Sequence, residues 1–248
     1  LNDPRDIAAG LPGPRDLALF LDVDGTLIGP LHGDRERGIA TDRIELLRGL
    51  SALTGGAVAV LSGRALESVD DILAPLTLPT AGLQGADRRY PDGKRVMPVL
   101  TADDRRLFET LAEKVEAGFP TVFIEWKPGG MAFVHDEDRA LADGLIALAR
   151  SVVGKRFTVM DGRVAIDVVP PGTDKGHALA AFMERQPCVG RVPVHVGDDV
   201  PDEPAFRAAE AAGGFGITVG RTVAGVTRRV GDHEDVWAIL EAYATRHG

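Results

Sequence analysis

The run Leu17-Ala18-Leu19-Phe20-Leu21 has no polar interruption. That is the pattern of a short strand buried on both faces of a parallel sheet, because a half-exposed strand would alternate apolar with polar residues. A parallel sheet in turn requires long crossovers, usually helices, between its strands. The run leads into Asp22-Val23-Asp24-Gly25-Thr26. On extended backbone, side chains two residues apart point the same way, roughly 7 Å apart. Two carboxylates held so close repel unless a cation or a shared proton relieves them. Magnesium suits such a pair, since it takes oxygen ligands from one or two carboxylates together with water and phosphate. Taken alone, the same residues also fit an Asp-Gly turn with solvated acids.

The rest of the chain supplies the crossovers. A polar loop with Gly29, Pro30, Gly33 and Gly38 leads to a helix capped by Thr41 or Asp42, with Ile44, Leu47 and Leu50 at helical spacing. A second apolar strand, 57–61, enters a helix through Ser62-Gly63-Arg64. A hydroxyl and unpaired N–H groups at a helix start form a natural anion site, although Ser62 could be only an N-cap. After Pro170-Pro171-Gly172, Lys175 opens another helix, where a cation opposes the macrodipole, or it lies exposed at a frayed end. The strand 192–196 then runs into Gly197-Asp198-Asp199-Val200-Pro201-Asp202-Glu203. Four acids in six residues at a strand end are hard to explain as packing, though some favour a helix N-terminus. A last strand near 215–219 and a helix around Val236, Leu240 and Tyr243 follow.

Between these halves, residues 87–169 change character. Thr101 and Asp104 resemble a capping box before a helix carrying Leu107, Leu111 and Val115. Strands 122–127 and 131–135 flank a Pro-Gly-Gly turn, and a second helix carries Leu141, Leu145 and Leu148. Two short strands joined by Asp161-Gly162 complete an α+β layer. The expected architecture is therefore α/β. A doubly wound, Rossmann-like parallel-sheet core spans residues 14–86 and 170–248, and a smaller α+β cap, 87–169, is inserted in it. Ligands of such sheets sit beyond the carboxyl ends of the strands, where Asp22, Asp24, Ser62, Asp198 and Asp199 all fall, with Lys175 facing them.

Composition narrows the partners. Across 248 residues, 28 Lys and Arg against 37 Asp and Glu give a formal net charge of −9, which argues against nucleic acid or an anionic membrane as partner. The single Cys188 excludes an internal disulfide and fits a reducing cytoplasm. No apolar run approaches the ~20 residues of a membrane span. Residues 1–14 hold no signal-peptide core.

In chain order, Asp22-Val23-Asp24-Gly25-Thr26, Ser62-Gly63-Arg64, Lys175 and Gly197-Asp198-Asp199 resemble the four motifs of the haloacid dehalogenase (HAD) superfamily of phosphotransferases. More narrowly, Gly82-Leu83-Gln84-Gly85-Ala86-Asp87, Glu125-Trp126-Lys127, Gly130-Met131-Ala132-Phe133 and the segments 171–176 and 197–203 are similar to those of trehalose-6-phosphate phosphatases along nearly the whole chain. Two departures stand out: Gln84 where that family usually has His, and Pro201 where it has Thr.

The resemblance implies a HAD-like core with a substrate-specificity lid that hydrolyses a small-molecule sugar phosphate, trehalose 6-phosphate, with Mg2+; a monomer is expected. It implies Asp22 as nucleophile forming an aspartyl phosphate, and Asp24 as general acid and base. Magnesium would be held by Asp22, Asp198 and the backbone carbonyl of Asp24. Ser62, Gly63 and Lys175 would bind phosphate, Thr26 and Arg64 would support the site, and Asp199 or Asp202 would orient Lys175 or metal-bound water.

In the insert, period-two alternation puts Phe123, Glu125 and Lys127 on one face of a strand and Trp126 on the other. Glu125 and Lys127 are expected to meet sugar hydroxyls, with Asp167 as a further contact by family analogy and Gln84 where core meets insert. An exposed cross-strand ion pair is the alternative for Glu125 and Lys127. Sucrose phosphate or a mannosyl phosphate would suit the same chemistry. A receiver domain of a signalling system would also combine aspartates, magnesium and a lysine, but without a large insert.

Overall fold

The computed structural model describes residues 1–29, 38–135 and 138–248. In chain order these form α1 (Pro4–Ala9), β1 (Leu17–Leu21), α2 (Thr41–Leu53), β2 (Val58–Leu61), α3 (Leu66–Leu73), β3 (Thr80–Gly82), β4 (Asp87–Arg89), β5 (Arg95–Val96), α4 (Ala102–Gly118), β6 (Phe123–Lys127), β7 (Gly130–Val134) and α5 (Arg139–Val153). There follow β8 (Thr158–Asp161), β9 (Ala165–Val169), α6 (Lys175–Met183), β10 (Val192–Gly197), α7 (Glu203–Ala211), β11 (Phe215–Val219), β12 (Arg228–Val230) and α8 (His233–His247). Pro30 and Gly33, in the loop expected after Thr26, lie outside the described residues.

Strands in the order β12-β11-β10-β1-β2-β3-β4-β5 make one sheet, and β6-β7-β9-β8 make another. The large sheet is parallel from β12 to β3, with β1 between β10 and β2. The apolar run of β1 divides by parity, as a strand covered on both faces must. Leu17, Leu19 and Leu21 pack with Ile44, Leu47, Trp237 and Leu240, while Ala18 and Phe20 pack with Leu179, Phe182 and Ala205. Helices therefore cover both faces, and the polar groups are left to the strand ends. No helix among the described residues is long and apolar enough to cross a membrane.

The second sheet is antiparallel throughout. One face buries Met131, Phe133, Ile166 and Val168 against Phe108, Leu111 and Val115 of α4 and Leu145 and Ala149 of α5. Side chains of the opposite parity, Glu125 and Asp167, lie in register on either side of Ala132 and face the large sheet's strand ends. The capping box at Thr101 and Asp104 forms as expected, with both reciprocal hydrogen bonds.

Several local expectations are corrected. Strand β1 stops at Leu21, so Asp22 and Asp24 sit in the following loop rather than on one extended face. The N-cap of α2 is Ala40, not Thr41 or Asp42, and α3 starts at Leu66 with Ala65 as N-cap, so Ser62 is not a cap. Residues 87–96, expected to begin the insert, instead add β4 and β5 antiparallel to the edge of the large sheet. Helix α1 and strand β12 had no periodic signal. Helix α1 is held by Ile7, Ala8 and Leu11 in the core, and Tyr243 Oη donates to Pro12 O.

The sheet edge from which the chain departs to the second layer is fastened by an ion pair. Asp87 is wholly buried, and both its oxygens accept from Arg95, at 2.8 and 2.5 Å. Removing one partner of a buried pair strands the other charge. Because Arg95 is itself partly exposed, Arg95→Met is expected to lower stability by about 2 kcal/mol in urea unfolding. Arg106→Ala, which breaks the exposed pair with Asp103, should change it by less than about 0.5 kcal/mol.

Candidate active site

The carboxyl ends of β1, β2 and β10 and the N-terminus of α6 open into a cleft of about 390 Å³, roofed by the polar face of the second sheet. Asp22, Asp24, Gly63, Lys175, Asp198 and Asp199 line its floor. Glu125, Lys127 and Asp167 line the roof, with Gln84 at the junction and Phe123 beside Glu125 as the alternation requires.

Lys175 is the centre of the floor. Its Nζ, almost fully buried, donates to Asp22 Oδ1 at 2.6 Å and Asp202 Oδ1 at 2.7 Å. Burial works against the ammonium form, but the Asp202 and Asp22 carboxylates outweigh it and hold Lys175 above its ordinary value. Asp202 has both oxygens engaged: Oδ1 also accepts from His195 Nε2 at 2.9 Å, and Oδ2 from the Asp199 N–H at 3.1 Å. Burial acts to raise its pKa, yet Lys175 and His195 bring it below the usual carboxylate range. Of the two orienting candidates, Asp202 therefore holds Lys175. Asp22, by contrast, is pushed up by burial, and Asp202, Asp198 and Asp24 add to the shift against the pull of Lys175. Asp198 is raised to about 7 by burial, Asp202 and Asp199.

This pattern tests whether a cation suits the site. Asp22, Asp198 and Asp202 bring carboxylate oxygens within 4.8 Å of one another. With Asp202 committed to Lys175 and His195, Asp22 and Asp198 are the pair that an oxygen-seeking divalent ion would relieve. The turn is built for that approach. Gly25 has φ +79°, and a Cβ there would lie 2.0 Å from Asp198 Oδ2. The residues fit the group.

Asp24 is held by Arg64, whose Nε and Nη2 donate to its two oxygens at 2.8 and 2.7 Å. The carboxylate raises the guanidinium pKa despite burial. Ser62 is fully buried and does not line the cleft; its Oγ accepts from the Arg64 N–H at 3.2 Å. Thr26 is also buried and does not line the cleft.

On the roof, Lys127 Nζ reaches down to the Gly63 carbonyl at 2.9 Å and across to Asp167 Oδ1 at 2.7 Å, so it is not the exposed surface pair of the alternative reading. Glu125 lies 3.9 Å from the same ammonium and is about half exposed. Burial opposes the charged form of Lys127, but Asp167 and Glu125 outweigh it. At the far side the Arg163 N–H donates to Asp199 Oδ2 at 2.7 Å, so Asp199 docks the turn between β8 and β9. Sequence reasoning missed Arg163 and His195. A histidine in the apolar strand 192–196 was the one signal for the latter; nothing local marks the former.

Comparison with known proteins agrees with this geometry. The trehalose-phosphatase family model matches residues 20–231. The trehalose-6-phosphate phosphatase of Escherichia coli (strain K12) is 32% identical over 233 residues, covering 92% of this chain and 86% of that protein. The C-terminal domain of the C. albicans trehalose-6-phosphate phosphatase superposes with a TM-score of 0.81 at 17% identity, covering 99% of this chain and 97% of that one. A HAD-superfamily phosphatase from Bacteroides thetaiotaomicron shares the fold with a TM-score of 0.61 at 18% identity, over 92% and 93% of the two chains. The chain belongs to the trehalose-phosphatase family of phosphoric monoester hydrolases, with the HAD fold.

Proposed function

We propose that this protein hydrolyses trehalose 6-phosphate to trehalose and inorganic phosphate, through a phosphoryl group carried transiently on Asp22. The observation that carries the reading is the two-ended cleft. An anionic floor with a buried ammonium faces a roof that carries Glu125, Lys127 and Asp167, in a chain of this family. The same cleft would admit sucrose or mannosyl phosphates, and a panel of sugar phosphates ranked by kcat/KM separates them. A phosphate-holding receiver would have no use for the roof.

An Asp22 oxygen attacks phosphorus as the bond to the sugar oxygen breaks, and Asp24 gives that oxygen its proton. Water then attacks the phosphoaspartate, Asp24 takes the water proton, and phosphate leaves. Because Arg64 holds both Asp24 oxygens, the group must turn from Arg64 and take up a proton from solvent before it can give one to the leaving oxygen. Lys175 faces the phosphoryl oxygens while Asp202 and His195 keep it in place. Gly63 shapes the phosphate end, and the buried Ser62 does not reach it but holds the Arg64 backbone N–H. Asp22, Asp198 and the Asp24 carbonyl would hold a magnesium ion, which would supply charge neutralisation at the phosphoryl group. Residues 102–169 act as the lid that closes over the sugar and excludes water.

Chelation should abolish phosphate release and magnesium should restore it. Asp22→Asn and Asp198→Ala should each lower kcat at least about 10³-fold; full activity in excess EDTA would sink the metal requirement.

Asp24→Asn keeps the nucleophile and loses the proton donor. Its kcat should fall about 10²-fold or more on trehalose 6-phosphate and far less on an activated aryl phosphate, whose leaving group needs no proton. Equal losses would make Asp24 a structural or metal residue.

Glu125, half exposed and outside the core packing, can be changed with little risk to the fold. Glu125→Ala is expected to lower kcat/KM for trehalose 6-phosphate about 10²-fold, with a loss at least about tenfold smaller on the aryl phosphate. Steady-state kinetics on both substrates read the difference, and parallel losses would place the damage in lid closure.

A further inference from the structure

Gln84 sits in a short 3-10 turn, residues 83–85, between β3 and β4. Leu83 and Gln84 both have positive φ, 52° and 54°, a region that side-chain-bearing residues seldom occupy. The turn is held there by two backbone bonds to the segment after β2, Leu83 N–H to Arg64 O at 2.8 Å and Gln84 N–H to Ser62 O at 3.0 Å. Glycine at 63 makes the space, since a Cβ there would lie 2.5 Å from Gln84 Nε2. A strained turn, pinned from below and given room by a glycine, delivers one amide side chain into the cleft wall.

The orientation of that amide follows from its neighbour. Asp167 Oδ2, 2.7 Å away, can only accept, so the amide nitrogen faces it and the carbonyl oxygen turns the other way. Gln84 is 5% exposed, and its Oε1 finds no donor among the described residues. A buried acceptor without a donor is costly unless a ligand supplies one. The nearby donors point elsewhere: Lys127 Nζ donates to Gly63 O and Asp167 Oδ1, and the Gln84 amide nitrogen to Asp167 Oδ2, and none of them bonds Gln84 Oε1. Of this group Gln84 Oε1 and the Glu125 carboxylate remain as acceptors, the chemistry that takes hydroxyl donors.

We infer that Gln84 is a specificity-determining residue whose Oε1 accepts a hydrogen bond from one hydroxyl of the bound sugar. The core thus reads the sugar directly, beside the roof. The inference rests on the reading that a sugar phosphate fills the cleft, and it adds the atom, the polarity of the contact and the element that provides it.

The test measures kcat/KM for trehalose 6-phosphate and its singly deoxygenated analogues on the wild-type protein and on Gln84→Met, which keeps the length and removes both polar atoms. Wild type should lose about tenfold or more on the analogue lacking the partner hydroxyl. Gln84→Met should show a similar loss on the parent substrate and less than about threefold further loss on that same analogue. A loss that Gln84→Met applies equally to every analogue would overturn the inference, because a purely structural role through Asp167 gives that additive result. So would an unchanged parent substrate.

A second measurement needs no variant. At the sensitive position a deoxyfluoro analogue, which cannot donate, should be as poor as the deoxy compound on wild type; activity equal to the hydroxyl compound would refute the contact. If wild type prefers a different sugar phosphate, the substrate assignment falls, and the same comparison on analogues of that sugar still decides the role of Gln84.

Discussion

A lysine ammonium with almost no access to water, between two carboxylates from different parts of the chain, is the contact on which the rest of the site depends. Taking three charges out of water costs several kcal/mol per ion, and attraction recovers it only where every lone pair and proton is used. Asp202 approaches that condition: both its oxygens accept, from Lys175, His195 and the Asp199 N–H. Asp22 and Asp198 do not, and their raised pKa values express the shortfall. The floor is thus divided into a finished half that positions Lys175 and an electrostatically incomplete half that favours a divalent cation. His195 matters as the far end of this chain. Its Nδ1 lies 3.2 Å from the Phe20 carbonyl, so the last turn of β1 and the Asp202 carboxylate are braced by one buried ring.

The second layer touches this floor at two places of different character. Near the junction, Lys127 bonds the Gly63 carbonyl and Gln84 bonds Asp167, so the loop after β2 and the turn after β3 are both tied to the second sheet. At the opposite rim, a backbone N–H of the 161–163 turn meets Asp199, whose neighbour Asp198 belongs to the incomplete half of the floor. The roof is therefore bonded to two loops at the strand ends of the floor, the one after β2 and the one after β10.

How far the sequence foretold this depended on range. Parity along β1, the capping box at Thr101 and the alternation that aims Glu125 and Lys127 alike are local patterns, and the structure follows them. Strands β3, β4, β5 and β12 have only two or three residues each, too few for a period to register, so the large sheet's antiparallel edge was not legible. Ser62 followed a reasonable helix-start rule, but α3 begins four residues later, because the chain first bends to place Arg64 on Asp24. The pairing of Lys127 with Asp167 spans 40 residues and that of Lys175 with Asp22 spans 153. Strand-end logic brought the latter two residues to one region; no local rule could say which carboxylate each lysine would choose.

Those choices bear on selectivity. The cations that line the cleft floor and the adjoining roof are spoken for by carboxylates: Lys175 by Asp22 and Asp202, Arg64 by Asp24, Lys127 by Asp167. A dianionic phosphate entering such a place is accommodated by redistributing these pairs and by whatever positive charge completes Asp22 and Asp198, not by a standing excess of positive charge. The sugar end has less to redistribute, because Lys127 is tied to both the floor and Asp167, and the groups left facing the substrate accept hydrogen bonds. A second anionic group on the substrate would meet like charge at Glu125 and Asp167, whereas hydroxyls meet acceptors. The same pairing that stabilises the buried charges thus biases the cleft toward ligands that are charged at one end and rich in hydroxyls at the other.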